Sequence, residues 1–576
     1  FLSVGDVAKT IGNFANGNGF GDRSTYFLTR IVFLRALAFV YGTAFLVALK
    51  QNKPLIGNKG ITPAKTYLSY RRSSLENEKK MQGKKAGLAD LLYNFPTLLW
   101  LIKDKDMDRA LDTFAALGLF LSGAVFLLGA ANLPIMLSLW ALYFSIVTVG
   151  QTWYGFGWES QLLETGFLAA FAVPVLSLSP WAGPVPWLAV WGFRWLLFRI
   201  MIGAGLIKIR GDSCWRDLTA MHYHYETQPV PNPLSYWLHK LPGWYHKAET
   251  AMNHVVELAC PWLLLVPWRR AAAAGGLLQI AFQAVLVSSG NLSFLNWLTA
   301  VPGVWALDDA ALAGLGLFPG AALDKASAVA LNLEMKATAG GAALAAGRAG
   351  RALLTLSVAG LIARRSAPVV RNLLSRGQRM NMCFDPLRLV NTYGAFGSVT
   401  REREELVVEG CAGYAGRDTR WEEYVFPAKP GPLGRRPAVV SPYHFRLDWM
   451  LWIAAQSSVR YNGWLYGLLE KLLTNDEGVT GLLAKGGNPF EGRDPPKYVR
   501  VMIYRYKYSP SLKEGEKGSA EGTADKDEGL GSSSGVAGIY GAPPEKNVQH
   551  GRWWTREEVG TYVKMVGLEA VQDLVW

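Results

Sequence analysis

Apolar residues in this chain come in long blocks, and the blocks end near residue 375. Stretches 26–49, 110–130, 133–150, 161–178, 187–207, 253–266, 271–288 and 292–307 are nearly continuous in Leu, Phe, Val, Ile, Ala and Trp, with a shorter one at 351–363. About 20 such residues in a helix cross the hydrocarbon core of a bilayer. A soluble fold has no means of burying so many segments of this kind, whereas helices in lipid satisfy their own backbone. The pattern predicts a multi-pass membrane domain over 1–375 with about eight or nine spans. Residues 88–102 are amphipathic and read as lying on the membrane rather than crossing it. The Ala- and Gly-rich stretch 308–350 reads as an inserted loop with one marginal helix.

After Met380 the pattern shortens. ELVVEG, RWEEYVFPAK and YVRVMIYRYKY are β-branched or aromatic runs, the last alternating, as strands require. Residues 445–473 read as one or two amphipathic helices broken near Asn462-Gly463. Residues 511–545 hold Gly, Ser, Lys and Glu without apolar pattern and read as a disordered insertion. The expected fold is a polytopic α-helical membrane protein followed by a C-terminal α+β, sheet-containing polar domain over 376–576.

Composition agrees. Half of the 576 residues are apolar, 22 are Trp, and the formal net charge is +14. Much of the positive excess lies in loops beside apolar blocks, which points to lipid headgroups and away from nucleic acid. Orientation stays open: the basic loop 50–109 and Arg269-Arg270 fall on opposite sides of the membrane. The four cysteines fit no zinc pattern and no disulfide framework, and Cys383 with Cys411 stays open between a bond and free thiols. The chain opens on Phe, which reads as a trimmed or processed N-terminus and leaves the compartment unread. No nucleotide-binding glycine loop, G-x-S-x-G elbow or H-E-x-x-H is present. No cofactor is expected beyond structural lipids.

Four polar constellations interrupt the apolar text. In WYGFGWESQLLETGF, Glu159 and Glu164 either complement a helix N-terminus or pair with Arg194 or Arg199 of the next span. In IKIRGDSCWRDLTAMHYHYETQPVPNPL, charges alternate through Lys208, Arg210, Asp212, Arg216 and Asp217, followed by His222 and His224. Two histidines two apart share one face of a strand, and no third metal ligand is near. The favoured reading is an ordered interfacial loop with Trp215 at headgroup level. In HVVELACPW, His254 and Glu257 are one helical turn apart, a proton relay or a polar pair joining helices. In SPYHFRLDWMLWIAA, His444, Arg446, Asp448, Trp449 and Trp452 are candidates for partner binding, or for an ion pair fixing this helix on the sheet.

These strings, with GNKGITPA, FDPLRLVNTYGAFGSVTRER and PPKYVRVMIYRYKY in the same order, resemble the lipase maturation factor family. The resemblance implies a multi-pass protein of the endoplasmic reticulum membrane. It also implies a chaperone-like factor that brings dimeric secreted lipases to an active fold, with its C-terminal part engaging client proteins. The membrane part is more weakly similar to the transmembrane domain of vitamin K-dependent carboxylase. Two other readings stand beside it: a structural accessory subunit of a larger complex in a mitochondrial or plastid inner membrane, and a membrane enzyme acting on a lipid-borne substrate.

Overall fold

The computed structural model describes residues 25–339, 342–414, 416–510 and 548–575. The chain forms two compact units. The first comprises Phe1–Tyr225, Trp237–Val399 and Val440–Arg446; the second comprises Glu226–Tyr236, Thr400–Val439 and Leu447–Trp576.

The first unit is helical. Its principal helices are α1 (Phe27–Ile56), α2 (Met107–Leu128), α3 (Leu133–Val149), α4 (Gly157–Ala169), α5 (Trp187–Arg210), α6 (Gly243–His254), α7 (Arg269–Ser289) and α8 (Ala342–Leu374). Among the described residues five helices are long and apolar enough to cross a membrane: Phe27–Ile56, Asp104–Leu128, Trp187–Arg210, Arg269–Ser289 and Ala349–Leu374. Close packing of these helices rests on small residues, as it does where no hydrophobic effect separates helix from lipid. A Cβ on Gly118 of α2 would come within 2.3 Å of the Phe45 ring, and one on Gly166 of α4 within 1.9 Å of the Tyr41 hydroxyl.

Several apolar blocks fold differently from the reading above. The 161–178 block stops as a helix at Ala169, because Pro174, Pro180, Pro184 and Pro186 deny the backbone its helical bonds. The 292–307 block becomes a short helix, Leu295–Ala300, and a tight turn of 3-10 helix, Val301–Ala306, entered through Pro302. The stretch 308–350 is mostly helix (Asp309–Gly314, Gly320–Ala339 and the start of α8) rather than loop. Alanine is the strongest helix former, and its density outweighs the glycines. For the same reason α8 continues through Arg364-Arg365, past the end of the 351–363 block.

The start of α1 is fixed from far along the chain. Asp309 Oδ2 accepts the Thr25 hydroxyl (2.7 Å) and the Phe27 amide (2.8 Å), while Oδ1 accepts the amides of Leu28 (2.8 Å) and Thr29 (3.1 Å). These are the amides that a helix leaves unbonded at its N-terminus, and a carboxylate there also meets the positive end of the helix dipole.

The second unit is built on a five-stranded antiparallel sheet. Its strands are β1 (Arg403–Cys411), β2 (Glu422–Glu423), β3 (Tyr498–Tyr508), β4 (Val548–His550) and β5 (Trp554–Val566), in the order β2-β1-β3-β5-β4. β1 pairs along its whole length with residues 498–506 of β3, with Glu405 opposite Tyr504 and Val407 opposite Met502. One face gathers Val407, Met502, Tyr504, Tyr506, Tyr508, Trp553 and Trp554 with Tyr236. Helices α9 (Arg446–Ala455), α10 (Trp464–Leu473) and α11 (Leu568–Val575) follow in sequence, and α10 buries Leu465, Leu468, Leu469 and Leu472. RWEEYVFPAK contributes only the two residues of β2, since Pro427 and Pro430 end the ladder. The expected insertion at 511–545 lies outside the described residues. Cys383 and Cys411 are free thiols rather than a bonded pair.

Asp309→Ala would strand three amides, each on the order of 1–3 kcal/mol when unsatisfied. Thermal unfolding in mild detergent is expected to fall by several degrees for this variant and by less for Asp309→Asn. An unchanged melting temperature for Asp309→Ala would show that the cap carries no weight.

Candidate functional site

Polar side chains in the first unit are not scattered. They form buried sets, each closed on itself by residues distant in sequence. Helix α4 carries Glu159 and Glu164, both buried. Glu164 meets Arg199 of α5 through Oε1, and its Oε2 accepts the Asn391 amide (3.1 Å), the Asn391 side chain (3.1 Å) and the Tyr393 hydroxyl (2.7 Å). Arg199 also donates to the Asn391 carbonyl (2.8 Å). A carboxylate in an apolar setting needs this many donors to stay charged.

Glu159 has a different partner from the two arginines considered above. Its Oε1 accepts Arg446 Nη1 at 2.8 Å, and its Oε2 accepts the Tyr143 hydroxyl. The Arg446 guanidinium lies 3.5 Å from the centre of the Tyr154 ring and donates to the Trp153 carbonyl. Its backbone amide donates to Gln51 at 3.0 Å. Among the described residues Arg194 meets no carboxylate: it donates to the Trp305 carbonyl (3.2 Å) and the Tyr26 hydroxyl (3.3 Å) and lies over the Trp191 ring. A guanidinium can satisfy its donors on carbonyls, and the lone positive charge is then spread over an aromatic face.

His254 and Glu257 do not pair. A π-helical turn at Val255–Ala259 swings Glu257 toward Lys208, which donates to it at 2.6 Å and to Asn253 at 3.1 Å. The full charge of the ammonium is a stronger partner than an imidazole. His254 Nε2 instead contacts the Trp215 carbonyl at 2.9 Å.

The loop after α5 is packed inside the unit. Trp215 is 2% exposed, in a cluster with Cys214, Ala220 and Val399, and its indole donates to the Phe396 carbonyl. It therefore does not lie among headgroups. Arg210 donates to the Leu373 carbonyl and to Gln378, both at 2.7 Å. Arg216 donates to the carbonyls of Ile209 and Gly211. Asp212 caps the turn at Cys214, and Asp217 is exposed. His222 and His224 fall on a helix, Met221–Thr227, not a strand, so their rings diverge. His222 faces His246 at 5.0 Å and His224 faces Phe396 at 5.1 Å. Burial and the nearby Lys208 hold the His224 imidazole down to about 4. Among the described residues no group of three His, Cys, Asp or Glu is placed to hold a metal ion.

The SPYHFRLDW string points inward as well. His444, Arg446, Asp448 and Trp449 are buried, and His444 meets the rings of Phe156 and Trp158 edge-on. An ionised or bulky polar residue this deep serves packing and charge balance, and its surface is closed to a partner. In the second unit Asp448 Oδ1 accepts the amides of Ala428 (2.6 Å) and Lys429 (2.8 Å). Burial pushes its carboxyl up to about 6, against those amides. Trp452 alone of the set is half-buried. It donates to the Thr227 carbonyl and lines an open cleft of about 360 Å³ with Thr400, Arg401, Glu402, Arg403, Glu404 and Gln456.

The structure adds polar residues that had no sequence signal. Arg403 and Lys429 both reach Glu405, the latter at 3.0 Å, and Arg403 donates to the carbonyls of Glu226 (2.9 Å) and Pro229 (2.8 Å). Asn391, Tyr393 and Tyr143 belong to the α4 sets. An acidic residue opening the apolar run of a strand, Glu405 in ELVVEG, was the one available hint.

Two family models match the chain. The lipase maturation factor transmembrane domain matches residues 28–314, and the lipase maturation factor C-terminal domain matches residues 389–521. The chain is 48% identical to lipase maturation factor 1 of Bos taurus over 93% of its own length and 89% of that protein's. It is 45% identical to lipase maturation factor 1 of Homo sapiens over 95% and 89%. It is 31% identical to lipase maturation factor 2 of Homo sapiens over 85% and 80%. No solved structure matches it.

Arg199→Met leaves Glu164 buried and charged with neutral donors only, a loss of roughly 3–5 kcal/mol. Glu164→Gln in the same chain removes that charge while keeping an acceptor for Asn391 and Tyr393. The double variant is expected to recover most of the folded yield and melting temperature lost by Arg199→Met; a double variant no better than the single one would refute the pairing. For Asp448, the raised carboxyl means the folded state holds its proton more tightly than the unfolded one. Its stabilisation is complete below about pH 4 and lost as pH rises through about 6. Measured against Asp448→Asn, the parent chain is expected to lose stability between those values and to show a constant difference above them. A difference that does not change with pH would contradict the shift.

Proposed function

Because the chain belongs to the lipase maturation factor family, we propose that it is a chaperone or assembly factor of the endoplasmic reticulum membrane. Its clients on this reading are secreted or membrane-associated proteins such as dimeric lipases. The observation that carries the proposal is full-length kinship: both family domains are present in order, and similarity to lipase maturation factor 1 extends over more than nine tenths of the chain. The five long apolar helices and the family's transmembrane domain make it a membrane protein. We take the shorter apolar helix α3 as a further crossing, toward the eight or nine expected.

The physical arrangement supports a scaffold. The charged side chains of α4 and α5 are engaged with one another, with backbone or with side chains of other segments of the same unit, so they serve to hold helices together. Client contact falls to the second unit, where the open cleft beside Trp452 offers an aromatic edge with charges of both signs.

Expression of this chain in cells that lack lipase maturation factor 1 is expected to restore secreted lipase activity, with the lipase recovered by crosslinking to the chain. Correct membrane insertion at the level of the native factor with no lipase activity, and no crosslinked lipase, would overturn the proposal.

A further inference from the structure

The cleft beside Trp452 runs along a strand edge that the second unit leaves open. β3 covers one side of β1 along its whole length, while on the other side β2 meets only Glu409 and Gly410. In an antiparallel pair alternate residues turn both backbone groups to the same side. The Val408 carbonyl accepts the Tyr424 amide at 2.9 Å, and the Leu406 carbonyl accepts Lys429 Nζ at 3.1 Å. The even-numbered residues of β1 therefore face away from β3, and Glu404 is the next of them. Among the described residues no bond from another segment reaches its amide or carbonyl. Helix α9 stands across from this edge. Its Asp448 accepts the amides of Ala428 and Lys429, which fixes the helix on the Lys429 side of β1. Between helix and edge lies the open space of about 360 Å³, walled by Glu404, Trp452 and Gln456.

An open strand edge is a template for another extended chain, which gains main-chain bonds from the edge and selectivity from the walls. Two walls are specified here. The Trp452 indole nitrogen donates to the Thr227 carbonyl at 3.2 Å, so the ring is held in place. The Glu404 carboxylate has no cation of its own. Its cross-strand neighbour Arg505 turns instead to Glu402 at 2.7 Å and Glu557 at 3.9 Å. A residue paired with Glu404 from the open side would place its side chain beside that carboxylate, where a basic group is favoured. The next residue of such a strand points to the opposite face. That is the face on which Arg403 and Trp452 both meet the 226–229 segment. Building on the client contact proposed for this cleft, we infer that it takes an extended segment of the client polypeptide as an added strand beside β1. The segment pairs with the Glu404 backbone, sets a lysine or arginine against the Glu404 carboxylate, and lays an adjacent apolar side chain on Trp452. Because the main-chain bonds are indifferent to side-chain identity, the site selects an unpaired, extended segment, which a client exposes before it is folded.

The full-length chain, co-expressed with a dimeric secreted lipase, provides the test, with a photo-crosslinking amino acid in place of Gln456 or, separately, of Thr400. The captured lipase segment is synthesised as a peptide, and its binding to the purified full-length chain is measured in mild detergent. Two N-methylated forms are compared, one blocking the backbone amides that face Glu404 and one blocking the alternate amides. The first is expected to weaken binding about tenfold and the second to leave it unchanged. Glu404→Lys is expected to weaken binding about fivefold, with recovery when the peptide's basic residue is changed to Glu. Glu404→Gln replaces it if the folded yield falls. Equal effects of the two methylated forms overturn strand addition, and unchanged binding to the Glu404 variant overturns the charged contact. A crosslink to this chain itself, whether to residues 511–547 or to a second copy, overturns the client as occupant. A lipase that reaches activity without a crosslink at either position overturns this site alone; one that neither matures nor crosslinks overturns the proposed function with it.

Discussion

Everything in the first unit depends on keeping two carboxylates charged and content inside an apolar helix bundle. Glu159 and Glu164 lie on one helix, both buried away from solvent. Isolated, each would be intolerable there. Each instead meets one arginine and a tyrosine hydroxyl, and Glu164 adds the amide and side chain of Asn391. The partners come from 35, 227 and 229 residues away for Glu164, and from 16 and 287 for Glu159. Such sets can be complete only when α5 and the segments around residues 391 and 446 are all in place, so charge satisfaction selects one arrangement of elements that lipid alone would not distinguish.

The same device recurs where the helices end. Lys208 meets Glu257 and Asn253, and Asp309 closes the open amides of α1. In the second unit Arg403, Glu405 and Lys429 form a triad beneath the sheet. Residues that resemble a reactive centre in the linear text are thus tied to each other. That economy suits a scaffold, whose task is to hold a shape while a client changes its own.

Apolar blocks were legible because their signal is additive and local: α1, α5 and α7 follow directly from runs of Leu, Phe and Ala. β1 and β3 were legible from their β-branched and aromatic runs, and the break between α9 and α10 from Asn462-Gly463. The Ala-rich helices before and within α8 were misread because glycine content was weighed above alanine propensity. β5 was missed because its exposed Glu, Thr and Lys dilute the alternation. Partners were the least legible. Arg199 with Glu164 joins neighbouring helices and was within reach of sequence reasoning. Glu159 with Arg446 was not, since each was assigned to a different constellation and only the closed fold brings them together. The histidines of MHYHY show the converse: a spacing suited to a strand means nothing once the segment is a helix.

The most direct test of this account is a double-mutant cycle on Glu159→Gln and Arg446→Met, with unfolding of the full-length chain followed in mild detergent. If buried charge pairing selects the fold, the two single variants will each be strongly destabilised, and the double variant will fall short of their sum by more than about 1 kcal/mol. Additivity to within about 0.5 kcal/mol would mean that the two residues act independently, and that packing rather than charge satisfaction holds the unit together.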